Sequence, residues 1–370
     1  MMGAMQPAPA SGQLPAVCVV DGNPSHGRQV ASALASLFRV DHYQSASQAL
    51  TAMRADPPAV VMVDETIPPK DGFAFITSLR REEAFSRLPI IATSASDPGL
   101  ASSARQCGAD LALRRPYRRS TLVKAISSLR NRDVELTWDA LPPHQREALN
   151  GTMDVFNGLA DAVASGDPIP FSAMAAGCRP LVEAVGKCDF KGILAGVKDH
   201  DDCTYVHSIR VATLLTLFGQ AAGLPASDRI VLASGGLLHD VGKMAIPQGL
   251  LNKPGKLDDA EFAVIKGHVD TTVRLLRAVT SIPEPVITIA AQHHERLNGK
   301  GYPHGLAGGQ VDELARMAAI ADVFSALTER RSYKAPIAAD KALALMSEMD
   351  GHLDQHLLRL FRGMLLDAGV

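Results

Sequence analysis

The sequence predicts a multidomain chain: an α/β layer on a five-stranded parallel sheet, followed by an all-α helical bundle. Two observations predict it. From Pro15 to about Arg132 short β-branched runs alternate with amphipathic stretches, and beyond residue 133 the pattern turns helical. The length of 370 residues allows two or three separate cores.

The strands are expected at AVCVV, RVDHYQ, AVVMV, LPIIATS and ADLAL. Between and after them lie HGRQVASALASLF, SASQALTAMRAD, FAFITSLRREEAF, a Gly/Ala-containing helix and RSTLVKAISSLR. Strands alternating with helices of this length imply a parallel sheet covered on both faces. Functional residues of such sheets gather at the carboxyl ends of the strands, which here hold Asp21, Asp64, Ser94 and Arg115. Further on, LPPHQREALNGTMDVFNGLADAVASGD has a Pro-marked start and i, i+3, i+4 apolar spacing, and FSAMAAGCRPLVEAVGKC and FKGILAGVKDH continue in that style. Trp138 is expected to pack the joint between domains.

Composition narrows the function. Thirty-seven Lys+Arg against 39 Asp+Glu leave a net charge of −2, so no bulk field recruits a nucleic-acid polymer or anionic lipid. Residues 1–13 lack Lys and Arg and read as a disordered leader rather than a signal peptide. No charge-free apolar run approaches the ~20 residues needed to insert in a membrane. Five scattered cysteines without a C-x-x-C spacing point to a reducing, cytoplasmic setting.

Chemistry concentrates in the second half. Apolar helical segments carry His207, then His239 with Asp240, His268, the adjacent pair His293 and His294, and Asp322. A buried neutral polar group without a partner costs about 2–7 kcal/mol, and a charge more. Seven such residues on five apolar segments therefore need a common partner, and a metal cluster supplies one. Imidazole and carboxylate without thiolate suit Fe, Mn, Zn, Co or Ni. Seven ligands exceed one tetrahedral site and suit two ions about 3.5–4 Å apart, with Asp240 as the bridge. Neighbouring helical residues point about 100° apart, so His293 and His294 fit two coordination faces at one helix end. Lys243, three after Asp240, shares its helix face and brings positive charge to a phosphate. Arg331 and Lys334 form a compact basic pair, and Gly299, Gly301 and Pro303 shape a turn beside the ligands through unusual backbone angles and rigidity.

Two resemblances follow. VDETIPPKDG, with Asp64 at a strand end, Pro68 and Gly72, resembles the phospho-acceptor segment of response-regulator receiver domains. That implies a flavodoxin-like fold, phosphorylation at Asp64 with Asp21, Ser94 and Arg115 around it, a Mg²⁺ ion and a sensor histidine kinase. Gly22 stands where a second acidic residue normally helps hold Mg²⁺, and Arg115 replaces a Lys, so a partly degenerate receiver acting by docking or dimerisation is expected.

The series HSIRVA, LLHDVGKMAIP, LLNKPGKL, KGHVD, HHERLNGKGYPHGL, IADVFSALT and RRSYK resembles the HD-GYP branch of the HD phosphohydrolases. The resemblance implies an HD-type bundle hydrolysing cyclic di-GMP to pGpG or GMP, with two divalent ions, Fe or Mn foremost. It assigns His207, His239, Asp240, His268, His293, His294 and Asp322 to the metals, and a catalytic role to Asp240 and Lys243. Lys243, Arg296, Gly299, Gly301, Tyr302, Pro303, Arg331 and Lys334 would face the substrate. Cys203 stands where some members carry a third-metal Glu, and Ser332 where Pro is frequent. The boundaries expected are a leader at 1–13, a receiver-like domain at 14–131 and a linker at 132–150. The HD-GYP domain takes 151–370, with leader helices 151–193, a metal-binding core 194–335 and C-terminal helices 336–370. A homodimer is expected, and a diguanylate cyclase as a partner. The competing readings are a cyclic di-GMP sensor or scaffold, and an HD hydrolase of another nucleotide.

Overall fold

The structure, a computed structural model, describes residues 16–34, 38–68, 71–165, 170–197, 203–246, 248–251, 253, 255–278, 282–329 and 336–369. The expected leader lies outside them. The chain divides into two compact units, Met1–Arg132 with Pro247–Lys256, and Asp133–Ile246 with Leu257–Val370.

In the first unit β1 (Ala16–Val20), β2 (Arg39–Tyr43), β3 (Val60–Asp64), β4 (Ile90–Ser94) and β5 (Leu111–Arg114) form one parallel sheet in the order β2-β1-β3-β4-β5. The helices α1 (Pro24–Leu34), α2 (Ala46–Ala55), α3 (Gly72–Arg81), α4 (Leu100–Cys107) and α5 (Arg119–Trp138) complete the alternation. Successive strand side chains point to opposite faces, and the sheet is apolar on both. Cys18, Val20, Val61, Val63, Ile90 and Ala92 pack on α2, α3 and α4, whereas Val17, Val19, Val60, Met62 and Ile91 pack on α1 and α5. The strand order reverses between β1 and β3, so the ends that carry Asp21 and Asp64 open one crevice.

The second unit is helical. It holds α6 (Pro143–Ser165), α7 (Phe171–Gly186), α8 (Lys191–Gly196), α9 (Cys203–Ala221) and α10 (Ala226–Leu238). A 3₁₀ turn, Val241–Ala245, follows, and the short α11 (Gln248–Leu251) comes next in the chain. Then come α12 (Asp259–Lys266), α13 (His268–Ala278), α14 (Glu284–Gln292), α15 (Glu313–Thr328), α16 (Ala339–Ser347) and α17 (Gln355–Ala368). α9 and α15 bury most of their length, which is why their sequences read as apolar all round. α10 sits tightly on α9: a Cβ at Gly236 would lie 2.7 Å from the Ala212 Cα. No helix among the described residues is long and apolar enough to cross a membrane.

One expectation changes here. Residues 132–150, read as a linker, carry the end of α5 and the first turns of α6, and Trp138, Ala148 and Leu149 are buried in the helical core. The polar run around Pro142–Arg146 hid that packing. Trp138 packs in this core: it is 3% exposed, and its Nε1–H donates to the Gly196 carbonyl at 2.9 Å.

Candidate metal centre

Five segments of the helical unit deliver the seven expected residues to one place, in two groups. Asp240, His268, His293 and His294 form one, and His207, His239 and Asp322 the other. All are buried except His294, which is half-buried. Asp240 faces both groups. Its Oδ1 lies 3.1 Å from His268 Nε2 and 3.7 Å from His293 Nε2, and its Oδ2 lies 3.3 Å from His239 Nε2 and 3.6 Å from His207 Nε2. Asp322 Oδ1 lies 2.9 Å from His207 Nε2, and Oδ2 lies 3.8 Å from His294 Nδ1.

The helix ends explain how adjacent histidines serve one centre. α14 stops at Gln292, so His293 caps it and its Nδ1 donates to the Ala290 carbonyl at 2.9 Å, turning Nε2 inward. His294 turns the other way and offers Nδ1, with its ring stacked on Tyr302 at 4.7 Å between centroids.

A cation fits this donor set. His239 Nε2, Asp240 Oδ1, His268 Nε2 and His293 Nε2 are buried atoms without a hydrogen-bond partner. Leaving one such atom bare costs about 1–3 kcal/mol, so four at one point mark a site built for a ligand. The protonation states of three ligands agree. Burial raises the Asp240 pKa, but Lys243 and His239 outweigh it and hold the carboxyl well below its usual range. Burial likewise raises Asp322, and His207 and His294 bring it well down. Burial and the neighbouring His293 depress His294 well below an ordinary imidazole. His207 is the exception: burial alone would lower it, yet bonds to Asp322 and Glu329 lift it to about 9, so its Nε2 proton has to leave when a cation binds.

Lys243 differs from its expected geometry. It lies in a 3₁₀ turn, where residues three apart eclipse, and its ammonium pairs directly with Asp240 Oδ2. Gly299 does take a left-handed φ of +72°, but Gly301 does not: it is small because a Cβ there would lie 2.4 Å from the Arg296 amide. Tyr302 and Pro303 are half-buried and Arg296 is exposed. Arg331, Ser332 and Lys334 lie outside the described residues, as does the Cys203 side chain. Among the other cysteines Cys18, Cys107, Cys178 and Cys188 are free, and burial pushes the Cys18 and Cys178 thiols up to about 12 and about 11.

Two glutamates went unnoticed in the sequence. Glu329, seven residues or two turns after Asp322, places Oε2 3.0 Å from His207 Nδ1. Glu295, 2% exposed, accepts from the amides of His304 at 2.7 Å and Leu306 at 3.0 Å and so pins the glycine-rich loop. Its signal was its place: a charge directly after the buried end of an apolar helix. Glu295→Ala bares two amides and is expected to lower stability by about 2–4 kcal/mol, read as a fall in Tm by calorimetry. An unchanged Tm would remove that role.

The sheet crevice of the first unit presents the opposite picture. A cleft of about 580 Å³ lined by Gly22, Asp64, Thr66 and Arg115 lies at the strand ends. Asp64 Oδ1 accepts from Thr66 N and Oγ1, and Oδ2 accepts from Thr93 Oγ1 at 2.9 Å and meets Arg115 Nη2 at 2.7 Å. Asp21 accepts from Asn23 N at 2.7 Å and pairs with His26 Nδ1, whose Nε2 meets the Tyr117 hydroxyl. Ser94 Oγ accepts from the Ser96 and Asp97 amides, and it is the neighbouring Thr93 whose hydroxyl donates to Asp64. Each carboxylate oxygen of Asp21 and Asp64 is already matched. The missing acid cannot simply be restored either, because a Cβ at Gly22 would lie 2.6 Å from the Thr66 carbonyl oxygen. These residues do not fit the Mg²⁺ ion expected for them. Acetyl phosphate with Mg²⁺ is therefore expected to leave Asp64 unmodified in both the wild type and Gly22→Asp, read by intact mass. Stoichiometric phosphorylation of the wild type would contradict this.

Residues 196–357 match the HD domain and residues 17–127 the response regulator receiver domain. A cyclic di-GMP phosphodiesterase of Pseudomonas aeruginosa is 42% identical over 170 residues, 45% of this chain and 41% of that protein. A 3'3'-cGAMP-specific phosphodiesterase of Vibrio cholerae is 36% identical over 169 residues, 46% of this chain and 36% of that protein. The cyclic di-GMP phosphodiesterase response regulator RpfG of Xanthomonas campestris is 28% identical over 328 residues, 88% of this chain and 80% of that protein. The chain spans less than half the length of the first two. Residues 17–127 thus belong to the response-regulator receiver domains and residues 196–357 to the HD domains, joined in one chain.

Proposed function

We propose that this chain is a metal-dependent phosphodiesterase that hydrolyses cyclic di-GMP to pGpG or GMP. The observation that carries the reading is the convergence of seven His and Asp side chains with four buried donor atoms left bare. His207, His239 and Asp322 would hold one divalent ion, His268, His293 and His294 a second, and Asp240 both. Fe or Mn suits the donors best, with Zn, Co or Ni as alternatives. Ions bound there would activate water at neutral pH and draw charge from a phosphoryl oxygen.

The protein's own groups do the rest. Asp240 and Asp322, held ionised, keep the centre anionic and ready for cations. His294 stays neutral, as a ligand must. Burial pushes the Tyr302 hydroxyl pKa up, so Tyr302 keeps its proton beside His294 and donates it in a hydrogen bond to a substrate phosphate. Lys243 has 22% of its side chain exposed and brings a cation from Asp240 to the mouth of the centre. Arg331 and Lys334 keep the phosphate-contacting role that the family resemblance gives them. A kinase is the partner that a receiver suggests, but the matched carboxylates of Asp21 and Asp64 favour control of this domain by docking.

The substrate has one near rival, because relatives at 36–39% identity are named for 3'3'-cGAMP. A panel at fixed metal load tests the choice, with cyclic di-GMP, 3'3'-cGAMP, ppGpp and a deoxynucleoside triphosphate compared by kcat/KM. Cyclic di-GMP is expected to lead. A lead by ppGpp or the triphosphate would overturn the cyclic dinucleotide assignment.

A further inference from the structure

We propose that Glu329 is a positioning residue for the side of the centre formed by His207, His239 and Asp322: it holds His207 through Nδ1 so that Nε2 faces the metal. The inference rests on the metal-centre reading above. Four of the histidines converge through Nε2, and three of these are fixed in a common way. His239, His268 and His293 each send Nδ1 to the carbonyl three residues earlier, at Gly236, Ile265 and Ala290, with distances of 2.8, 2.7 and 2.9 Å. Each follows the end of a helix, where the last-turn carbonyls have no amide partner within the helix and can accept from a ring.

His207 has no such carbonyl. It lies inside α9, where the carbonyls of the preceding turn are engaged by the helix itself. Its partner must come from elsewhere, and α15 provides it. Asp322 Oδ1 lies 2.9 Å from Nε2, and Glu329 Oε2 lies 3.0 Å from Nδ1, with Ser325 Oγ at 3.5 Å from the same nitrogen. The ring is thus gripped at both nitrogens by residues of one helix and its cap. Glu329 can reach it because α15 ends at Thr328 and the cap residue turns extended, with φ −85° and ψ 143°. It is 9% exposed.

The consequence is an asymmetry between the two sides. A Glu329 acceptor holds a proton on His207 Nδ1, so that Nε2 is the nitrogen a cation can take, and adds negative charge that the carbonyls behind the other rings lack. The side formed by His207, His239 and Asp322 is the one given this support.

Co²⁺ binding by the full chain tests the proposal, with metal content, chelator competition and the visible Co²⁺ spectrum read together on wild type, Glu329→Ala and Glu329→Gln. The wild type is expected to take two ions. Glu329→Ala is expected to keep one and to bind the second about 10–100-fold more weakly, with only part of the spectrum altered. Glu329→Gln, which keeps an acceptor without the charge, should fall between and also guards against a folding defect in the alanine variant. Two ions held by Glu329→Ala within about threefold of wild type, or both weakened alike, would overturn the role. A wild type that takes no Co²⁺ would instead overturn the metal-centre reading, and this inference with it.

Discussion

Asp240→Ala is expected to lower the proposed phosphodiesterase activity by about a thousandfold or more and to release both ions. No other side chain in the cluster places one oxygen within 3.7 Å of two imidazoles on one side and the second within 3.6 Å of two on the other. Removing it takes a ligand from each group and leaves the Lys243 ammonium, now without its carboxylate, facing the empty position. A thousandfold is about 4 kcal/mol, in the range of the several kcal/mol of charge stabilisation that a metal supplies to a phosphoryl transition state. Asp322→Ala is the informative contrast, since Asp322 meets His207 at 2.9 Å and only approaches His294 at 3.8 Å. It should release the ion of the His207 and His239 side first. Metal analysis with single-turnover kinetics checks both. Retention of two ions by Asp240→Ala would remove its bridging role.

Chelation of the bound ions is expected to lower the Tm of the helical unit by about 5–10 °C and to leave the receiver transition in place. The bare nitrogens and carboxylate oxygen exist only in the folded chain, so a cation binds the native state and not the unfolded one. At a free ion concentration of about 100 times Kd this stabilises by about 2.7 kcal/mol, and a unit of this size shifts by about 2–4 °C per kcal/mol. The receiver carboxylates are already matched by Arg115, Thr93 and His26, so Mg²⁺ or its removal should not move their transition. Calorimetry of the full chain with and without chelator separates the two. A helical transition that ignores chelation would mean that the cluster satisfies itself.

The parts that were legible in the sequence share a physical cause. AVCVV, AVVMV and LPIIATS announce strands because a sheet covered on both faces needs unbroken apolar, β-branched runs. The seven centre residues stood out because His and Asp in apolar helices are costly without a partner. What stayed hidden depends on contacts between distant segments. Glu329 looks like any charge near a helix end, and only α9 lying beside α15 makes it a partner of His207. Thr93 and Ser94 are indistinguishable by type, and the sheet alone decides which reaches Asp64. Lys243 keeps its i+3 relation to Asp240 in a 3₁₀ turn rather than an α-helix, because both turns share that neighbour and the sequence does not separate them. The stretch 132–150 looked like a linker because its polar residues outnumber the few, such as Trp138 and Leu149, that are buried.

One measurement addresses the central claim most directly: metal content and cyclic di-GMP hydrolysis on the same anaerobically purified sample, with products separated by chromatography. Two ions per chain and metal-dependent pGpG or GMP are the expected result, both lost in the His239→Ala/Asp240→Ala double variant. A fully loaded chain that holds the dinucleotide and releases no product would make it a sensor or scaffold. A chain that binds no stoichiometric metal would contradict the account at its root, at His293 and His294 as much as at Asp240.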